Sequence, residues 1–341
     1  MNVIRLFNQR LSIRFTTTAM MYIVLLLALL FLLLACSLFS GSYDINMQDA
    51  LYSLFQQSLI DKKTSLIIWE FRLPRSLVAM FSGTLFAISG ALLQNMTRNP
   101  LADPSLVGIS HGAALAVVTL TVLFPTYIDA WREISAFLGA VLVAIIIQWL
   151  RGDGHPLKFI LLGIGVVAFI SAIISTLITY GEFQLAMTAL AWLSGSTHTT
   201  NWQDVGILAS SVIIFTSFAV YQSRVMSAIS LGDEVAIGLG VPINRAMKVQ
   251  LAISVAAAAI ATAVVGPLGF VGLLAPHLAK RISNTSATNH LILTALTGAI
   301  LVLGADIIGR IALAPTQLAA GLVTSLIGAP LFAYLLIKKS S

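Results

Sequence analysis

What most constrains this chain is where its charges are missing. Long stretches without Asp, Glu, Lys or Arg occupy residues 15–43, 76–97, 104–128, 134–150, 159–181, 205–223, 249–279, 282–305 and 311–337. A helix needs about 20 apolar residues to cross a bilayer, and the helix satisfies its own backbone there. Hydrophobic residues make up 58% of the 341 and charged residues 9%, where a soluble domain carries about a quarter charged. The chain is therefore expected to be an all-α polytopic membrane protein, one transmembrane domain over residues 1–341.

Two stretches need closer reading. Residues 249–279 would make a single helix roughly 46 Å long at about 1.5 Å per residue, against a hydrocarbon core of about 30 Å. Gly266-Pro267-Leu268-Gly269 lies inside this run and is expected to break it into two passes, the second one short. Residues 183–203 are also charge-free, but Ser194 to Asn201 is too polar for lipid, so a short non-spanning helix at the outer surface is expected. The total is about ten spans. With the N-terminus inside, thirteen Lys and Arg fall on the inner side and six on the outer, out of 19. That agrees with the positive-inside rule and places both termini in the cytoplasm of an inner-membrane protein, with residues 1–17 as a cytoplasmic segment. Leu33-Leu34-Ala35-Cys36 looks like a lipoprotein cleavage site, but the apolar run around it is long for a signal-peptide core and is read as a retained first span.

The two halves share a layout. Arg75 opens a long span that ends in Asn99-Pro100-Leu101-Ala102-Asp103-Pro104, and Arg245 opens another that ends in Gly266-Pro267-Leu268-Gly269-Phe270-Val271-Gly272. Two five-helix halves must run in inverted topology, because five is odd, and paired interruptions point to a transport path. Gly83, Ala87 and Ala91, and then Gly298 and Ala305, are small residues at spacings that let helices approach closely. Residues 224–245 form an inner loop between spans six and seven. Within it Leu231, Val235 and Leu239 share one helical face, and Ser230 and Asp233 have capping-box spacing. Gly238 and Gly240 can stop a helix and Pro242 can open the next one. A connecting loop and a docking helix both fit.

No Gly-x-x-x-x-Gly-Lys-Ser/Thr loop occurs, so any ATP used must be bound by another chain. The five histidines are scattered, no nucleophile has a paired base, and the lone Cys36 excludes an internal disulfide. Charge at mid-membrane is nearly absent, which argues against a proton- or sodium-coupled carrier. Asp306 and Arg310 stand at i, i+4 near the outer end of span nine. A local ion pair is the plain reading there; Arg72 and Arg75 begin span two at the same surface, where they either anchor to lipid head groups or join Arg310 in a patch for an acidic partner.

Several motifs together resemble the permease subunits of iron-siderophore, haem and vitamin B12 ABC importers, the type II importer transmembrane subunits. They are Phe71-Arg72-Leu73-Pro74-Arg75, Gly90-Ala91-Leu92-Leu93-Gln94, Arg98-Asn99-Pro100-Leu101-Ala102-Asp103-Pro104 and Leu106-Val107-Gly108-Ile109. Further along stand Trp192-Leu193-Ser194-Gly195-Ser196 with Trp202, Leu231-Gly232-Asp233-Glu234 with Gly238-Leu239-Gly240-Val241, Gly266 to His277, Ala305 to Arg310, and Ile327-Gly328-Ala329-Pro330. The match runs in order over roughly residues 72–336.

The resemblance implies a ten-helix permease that pairs with a second copy or a sister permease, with two cytoplasmic ATPase subunits and with a periplasmic binding protein. ATP with Mg would sit on the ATPase chains, with no cofactor, no metal and no catalytic residue on this one. Leu231, Gly232, Asp233, Glu234, Val235, Gly238, Leu239 and Gly240 match the family's ATPase-coupling helix. Arg72, Arg75 and Arg310 match arginines that meet acidic residues of the binding protein, where exposed pairs contribute about 0–1 kcal/mol each and mainly orient the encounter. Asn99 and Leu101 match a cytoplasmic gate, and the path is expected along the dimer axis, lined by span five and the short helix before Trp192. Two departures stand out: Gln317 and Ala319 replace an acidic residue and a proline, and Lys280 replaces arginine. The resemblance implies that a ferric siderophore is moved from periplasm to cytoplasm by alternating access. Vitamin B12 and haem are the alternatives within the family, and a stand-alone secondary carrier is the alternative outside it.

Overall fold

The computed structural model describes residues 2–6, 11–15, 17–41, 43, 45–46, 48–49, 52, 61–105, 108–152, 156–283, 286–314 and 316–339. It opens on a hairpin, β1 (Asn2–Leu6) paired antiparallel with β2 (Leu11–Phe15), where the sequence suggested only a segment ahead of the first span. The described elements after it are helical: α1 (Thr17–Phe39), α2 (Lys62–Leu66), a π-helical turn (Ile67–Arg72), α3 (Leu73–Thr97), α4 (Ile109–Leu123), α5 (Ile128–Arg151) and α6 (Pro156–Tyr180). The second half holds α7 (Phe183–Leu193), α8 (Trp202–Tyr221), α9 (Ser223–Ser230), α10 (Asp233–Gly238), α11 (Ile243–Val265), α12 (Val271–Ile282), α13 (Ala287–Ile311) and α14 (Ala320–Lys339).

The ten expected spans correspond to α1, α3, α4, α5, α6, α8, α11, α12, α13 and α14. Seven described helices are long and apolar enough to cross a membrane individually; α4, α12 and α14 are the shorter or less apolar members. The run over 249–279 breaks where expected. Gly266 leaves α11 at φ +74° and Phe270 enters α12 at φ +66°, with Pro267 between them.

Backbone proximity, rather than large side chains, holds the interior together. A Cβ at Gly90 of α3 would lie 1.8 Å from the Gly272 carbonyl oxygen, and one at Gly83 would lie 2.3 Å from that of Gly298. Gly112 of α4 and Gly139 of α5 are related in the same way, each leaving 2.4 Å to the other's carbonyl oxygen. In lipid no hydrophobic drive pulls helices together, so such close approach and buried hydrogen bonds carry the association. Between α3 and α11, the second spans of the two halves, Ser89 donates to the Ser254 carbonyl at 2.7 Å and Ser254 donates back to the Ser89 carbonyl at 2.9 Å. That reciprocal pair is what an approximate two-fold relation between the halves produces. The paired interruptions also meet: a Cβ at Gly272 would lie 2.9 Å from Pro104 and 3.0 Å from the Asp103 carboxylate.

Several boundaries differ from the charge-free runs, and three of the differences have a clear physical cause. α3 starts at Leu73 and continues back through Arg72, because the charges that seemed to mark its edge are buried and partnered. α4 starts at Ile109 rather than at 104, since Gly108 adopts φ +89° ahead of it. α14 starts at Ala320, nine residues after the charge-free run begins, once the chain has crossed from α13.

Candidate functional site

The termini of α3 define two ends of the bundle. At the Arg98 end, α9 leads into the short helix α10. Ser230 proves to be the last residue of α9, with its hydroxyl donating to the Ser227 carbonyl at 2.7 Å. The expected capping box is thus absent, and Gly232 instead makes the turn at φ +112°. Asp233 is free to face Arg98, and the Arg98 guanidinium forks onto both of its carboxylate oxygens. The C-terminal reading holds. Gly240 sits at φ +79°, the Val241 N–H donates to the Ala236 carbonyl at 2.9 Å and the Gly240 N–H to the Ile237 carbonyl at 2.8 Å. Those two bonds form a Schellman closure.

This places the apolar stripe outside. Ala236 is buried against the bundle, while Leu231 is 66% exposed, Val235 47%, Ile237 63% and Leu239 64%. Glu234 is exposed beside them. Four large apolar side chains around a rigid, capped helix gain nothing from their own chain, and contiguous exposed apolar surface of this kind marks an interaction site.

Next to α10, Arg98 takes a left-handed conformation at φ 50° to close α3. Asn99 accepts the Leu101 N–H through its side-chain oxygen at 2.9 Å and the Ala102 N–H through its carbonyl at 3.1 Å. Asn99 and Leu101 therefore form one tight turn, with Leu101 on its exposed side. From there the chain turns inward. Asp103 is buried and accepts the Ser105 N–H at 2.8 Å, next to the first turn of α12, whose positive helix end suits a carboxylate.

At the Arg75 end the structure corrects both readings of the outer arginines as exposed groups. Arg72, Arg75 and Arg310 are all buried. Arg75 donates to Asp306 at 2.8 and 2.9 Å and to the Gln317 side-chain oxygen at 2.6 Å. Arg310 pairs with the other Asp306 oxygen and reaches the Ser37 carbonyl at 3.1 Å. Thr197 donates to Asp306 at 2.6 Å, and Arg72 donates to the carbonyls of Leu38, at 2.7 Å, and Tyr43. A fully buried carboxylate thus ties α1, α3, α13 and the 194–201 loop together. The i, i+4 pair was visible in the sequence, but its further partner Arg75, 231 positions from Asp306, was not. Gln317, which departs from the family pattern, serves here as a neutral acceptor for Arg75.

The 194–201 loop is the lid of this end. Ser196 donates to the Val265 carbonyl at 2.8 Å, an acceptor freed by the end of α11, and Gly321 donates to the Gly195 carbonyl at 2.9 Å. His198 Nδ1 accepts from Arg75 at 3.0 Å, as a neutral imidazole can. Burial holds the His198 imidazole below its ordinary 6.5, and the Arg75 charge adds to the effect. The folded pKa is depressed, so this contribution to stability is present above about pH 6.5 and is lost as pH falls from there towards the folded value. We expect the melting temperature to drop between about pH 7 and pH 5 by less in His198→Gln than in the parent chain, as followed by thermal unfolding in detergent. Parallel pH profiles would remove His198 from the account.

Comparison with known proteins adds to this geometry. The model of the FecCD transport family matches residues 26–338. The chain is 36% identical over 327 residues to the Fe(3+)-citrate import system permease protein YfmD of Bacillus subtilis, covering 95% of this chain and 96% of the relative. It is 34% identical over 331 residues to the achromobactin transport system permease protein CbrC of Dickeya dadantii, covering 96% and 94%. Among solved structures it superposes with a TM-score of 0.82 and 27% identity on one described as an inward-facing conformation of a metal-chelate type ABC transporter, covering 93% of this chain and 99% of that one.

Proposed function

Because this chain belongs to the FecCD transport family, whose members here are multi-pass transport permease subunits for iron chelates, we propose that it carries a ferric siderophore inward across the bacterial inner membrane, driven by ATP bound with Mg on two separate ATPase subunits. The observation that carries this reading is α10: a capped helix with Leu231, Val235, Ile237 and Leu239 exposed and Asp233 and Glu234 in its first turn. Such a helix suits a groove on a partner, and ATP-driven closure of that partner would move it.

Movement of α10 reaches the bundle through Arg98. The Arg98–Asp233 fork pulls on the end of α3, and the turn Asn99–Leu101 that follows is the gate in this reading. Alternating access requires that chelate and ATPase each bind one state better than the other. The Arg98 end lies in the cytoplasm, as the basic residues suggest. The Arg75 end meets a periplasmic binding protein. Arg72, Arg75 and Arg310 serve that encounter by holding the docking surface in place, since their guanidinium groups are engaged within the chain. The exposed apolar side chains of α6, Leu161, Ile164 and Phe169 among them, face a second permease copy or sister across the path, or lipid.

Reversing both charges, as Asp233→Lys with Glu234→Lys, is expected to weaken ATPase association by about tenfold or more, since like-charge juxtaposition at an interface costs at least ~1.4 kcal/mol. Ferric siderophore uptake should fall with it. Both side chains are exposed, so the variant should fold. Normal ATPase co-purification together with normal uptake would overturn the coupling role.

A further inference from the structure

At the Arg98 end, a recess of about 800 Å³ opens between α3, α9, α12 and α13, and of its lining only Arg98 belongs to the coupling route above. Arg98, Lys280 and Arg281 all line it, and no Asp or Glu does. Lys280 and Arg281 make no ion pair with any described residue, whereas Arg98 has Asp233 at the rim. Ser227 and Ser230 add hydroxyls from α9, and the first turn of α13 lines the wall through Ala287 and His290, bringing the positive end of a 25-residue helix to the same space. A positive-inside bias explains basic residues at this end of the bundle. It does not explain why three cations from two elements gather on one recess lined by no carboxylate, where only Asp233 at the rim offsets their mutual repulsion.

We propose that this recess binds a phosphate-bearing anion. Guanidinium and ammonium groups, hydroxyl donors and a helix N-terminus are the combination that phosphate oxygens select. The volume exceeds that of a bare phosphate, so the phosphate arrives either as the headgroup of an anionic phospholipid or on a soluble molecule. Occupancy has a consequence for α10. The anion competes with Asp233 for Arg98, so binding loosens the fork that joins α10 to α3.

The test uses the purified full chain with two probes: inorganic phosphate against chloride at constant ionic strength, and nanodiscs of phosphatidylglycerol against phosphatidylcholine. Phosphate should raise the melting temperature if the ligand is soluble. Phosphatidylglycerol should be retained in native mass spectrometry if the ligand is a headgroup. Lys280→Gln with Arg281→Gln, two exposed positions, should weaken whichever binding is seen by about tenfold or more, as expected for losing charge-assisted contacts. Absence of both signals, or equal binding by the double variant, would overturn the proposal. Should that variant misfold, amine labelling of Lys280 in the parent chain decides: slower labelling with phosphate or phosphatidylglycerol supports the site, and an unchanged rate rejects it.

Discussion

Asp306→Asn is expected to destabilise the permease by about 3–5 kcal/mol, the cost of breaking a buried ion pair by removing one partner. Asp306 is fully buried and accepts from Arg75, Arg310 and Thr197. Asparagine keeps the shape and loses the charge, leaving two buried guanidinium groups facing each other without a counter-ion. Among the described residues their other partners are Gln317, His198, the Ser37 carbonyl and Ser76, all neutral. Thermal unfolding in detergent reads the loss directly. A melting temperature equal to the parent's would show that the arginines find adequate partners without Asp306. A companion variant replacing Asp306, Arg75 and Arg310 together by apolar residues should recover much of the stability, because burying no charge avoids the desolvation that the trio must offset.

Gly90→Ala is expected to destabilise by about 3 kcal/mol, at the upper end of ordinary overpacking costs. By helix propensity alone the sign should be opposite, since alanine is favoured over glycine by about 1 kcal/mol inside a helix. The added methyl would lie 1.8 Å from the Gly272 carbonyl oxygen, which belongs to backbone at the start of α12 and cannot swing aside. α3 and α12 would have to separate, and with them the contact between the two chain interruptions. Gly304→Ala in α13 is the control: nothing lies within 4 Å of its added Cβ, so it should be neutral or slightly stabilising. Equal effects from the two substitutions would mean that close approach at Gly90 is not what holds α12 in place.

These two positions also show what was legible beforehand. The spans could be read from missing charge because apolar runs of about 20 residues satisfy their backbone in lipid as helices, and Gly266-Pro267 announced the break by pairing the two residues that most weaken one. The small residues Gly83, Ala87 and Gly298 were visible as a pattern, and the structure gives them partners, with a Cβ at Gly298 only 2.4 Å from that of Ala87. Burial of the three arginines was not legible. A basic residue at the edge of an apolar run looks the same whether it faces solvent or a carboxylate 231 positions later in the chain. Ser89 and Ser254 failed for a similar reason, as single serines inside apolar runs whose reciprocal bonding depends on how α3 and α11 cross. At α10 the helix and its closing glycines were foreseen, but its start was not. Ser230 had capping spacing, yet α9 continues through it and Asp233 is taken by Arg98.

The central claim, a permease that moves a ferric chelate only when an ATPase drives α10, is tested most directly in proteoliposomes that hold the complex purified with this chain, supplied with binding protein and radioactive ferric siderophore. The account predicts that the label crosses the bilayer when ATP and Mg are present on the ATPase side, and not when ATP is withheld or replaced by a non-hydrolysable analogue. Uptake of equal rate and extent without ATP would contradict it and make the chain a secondary carrier.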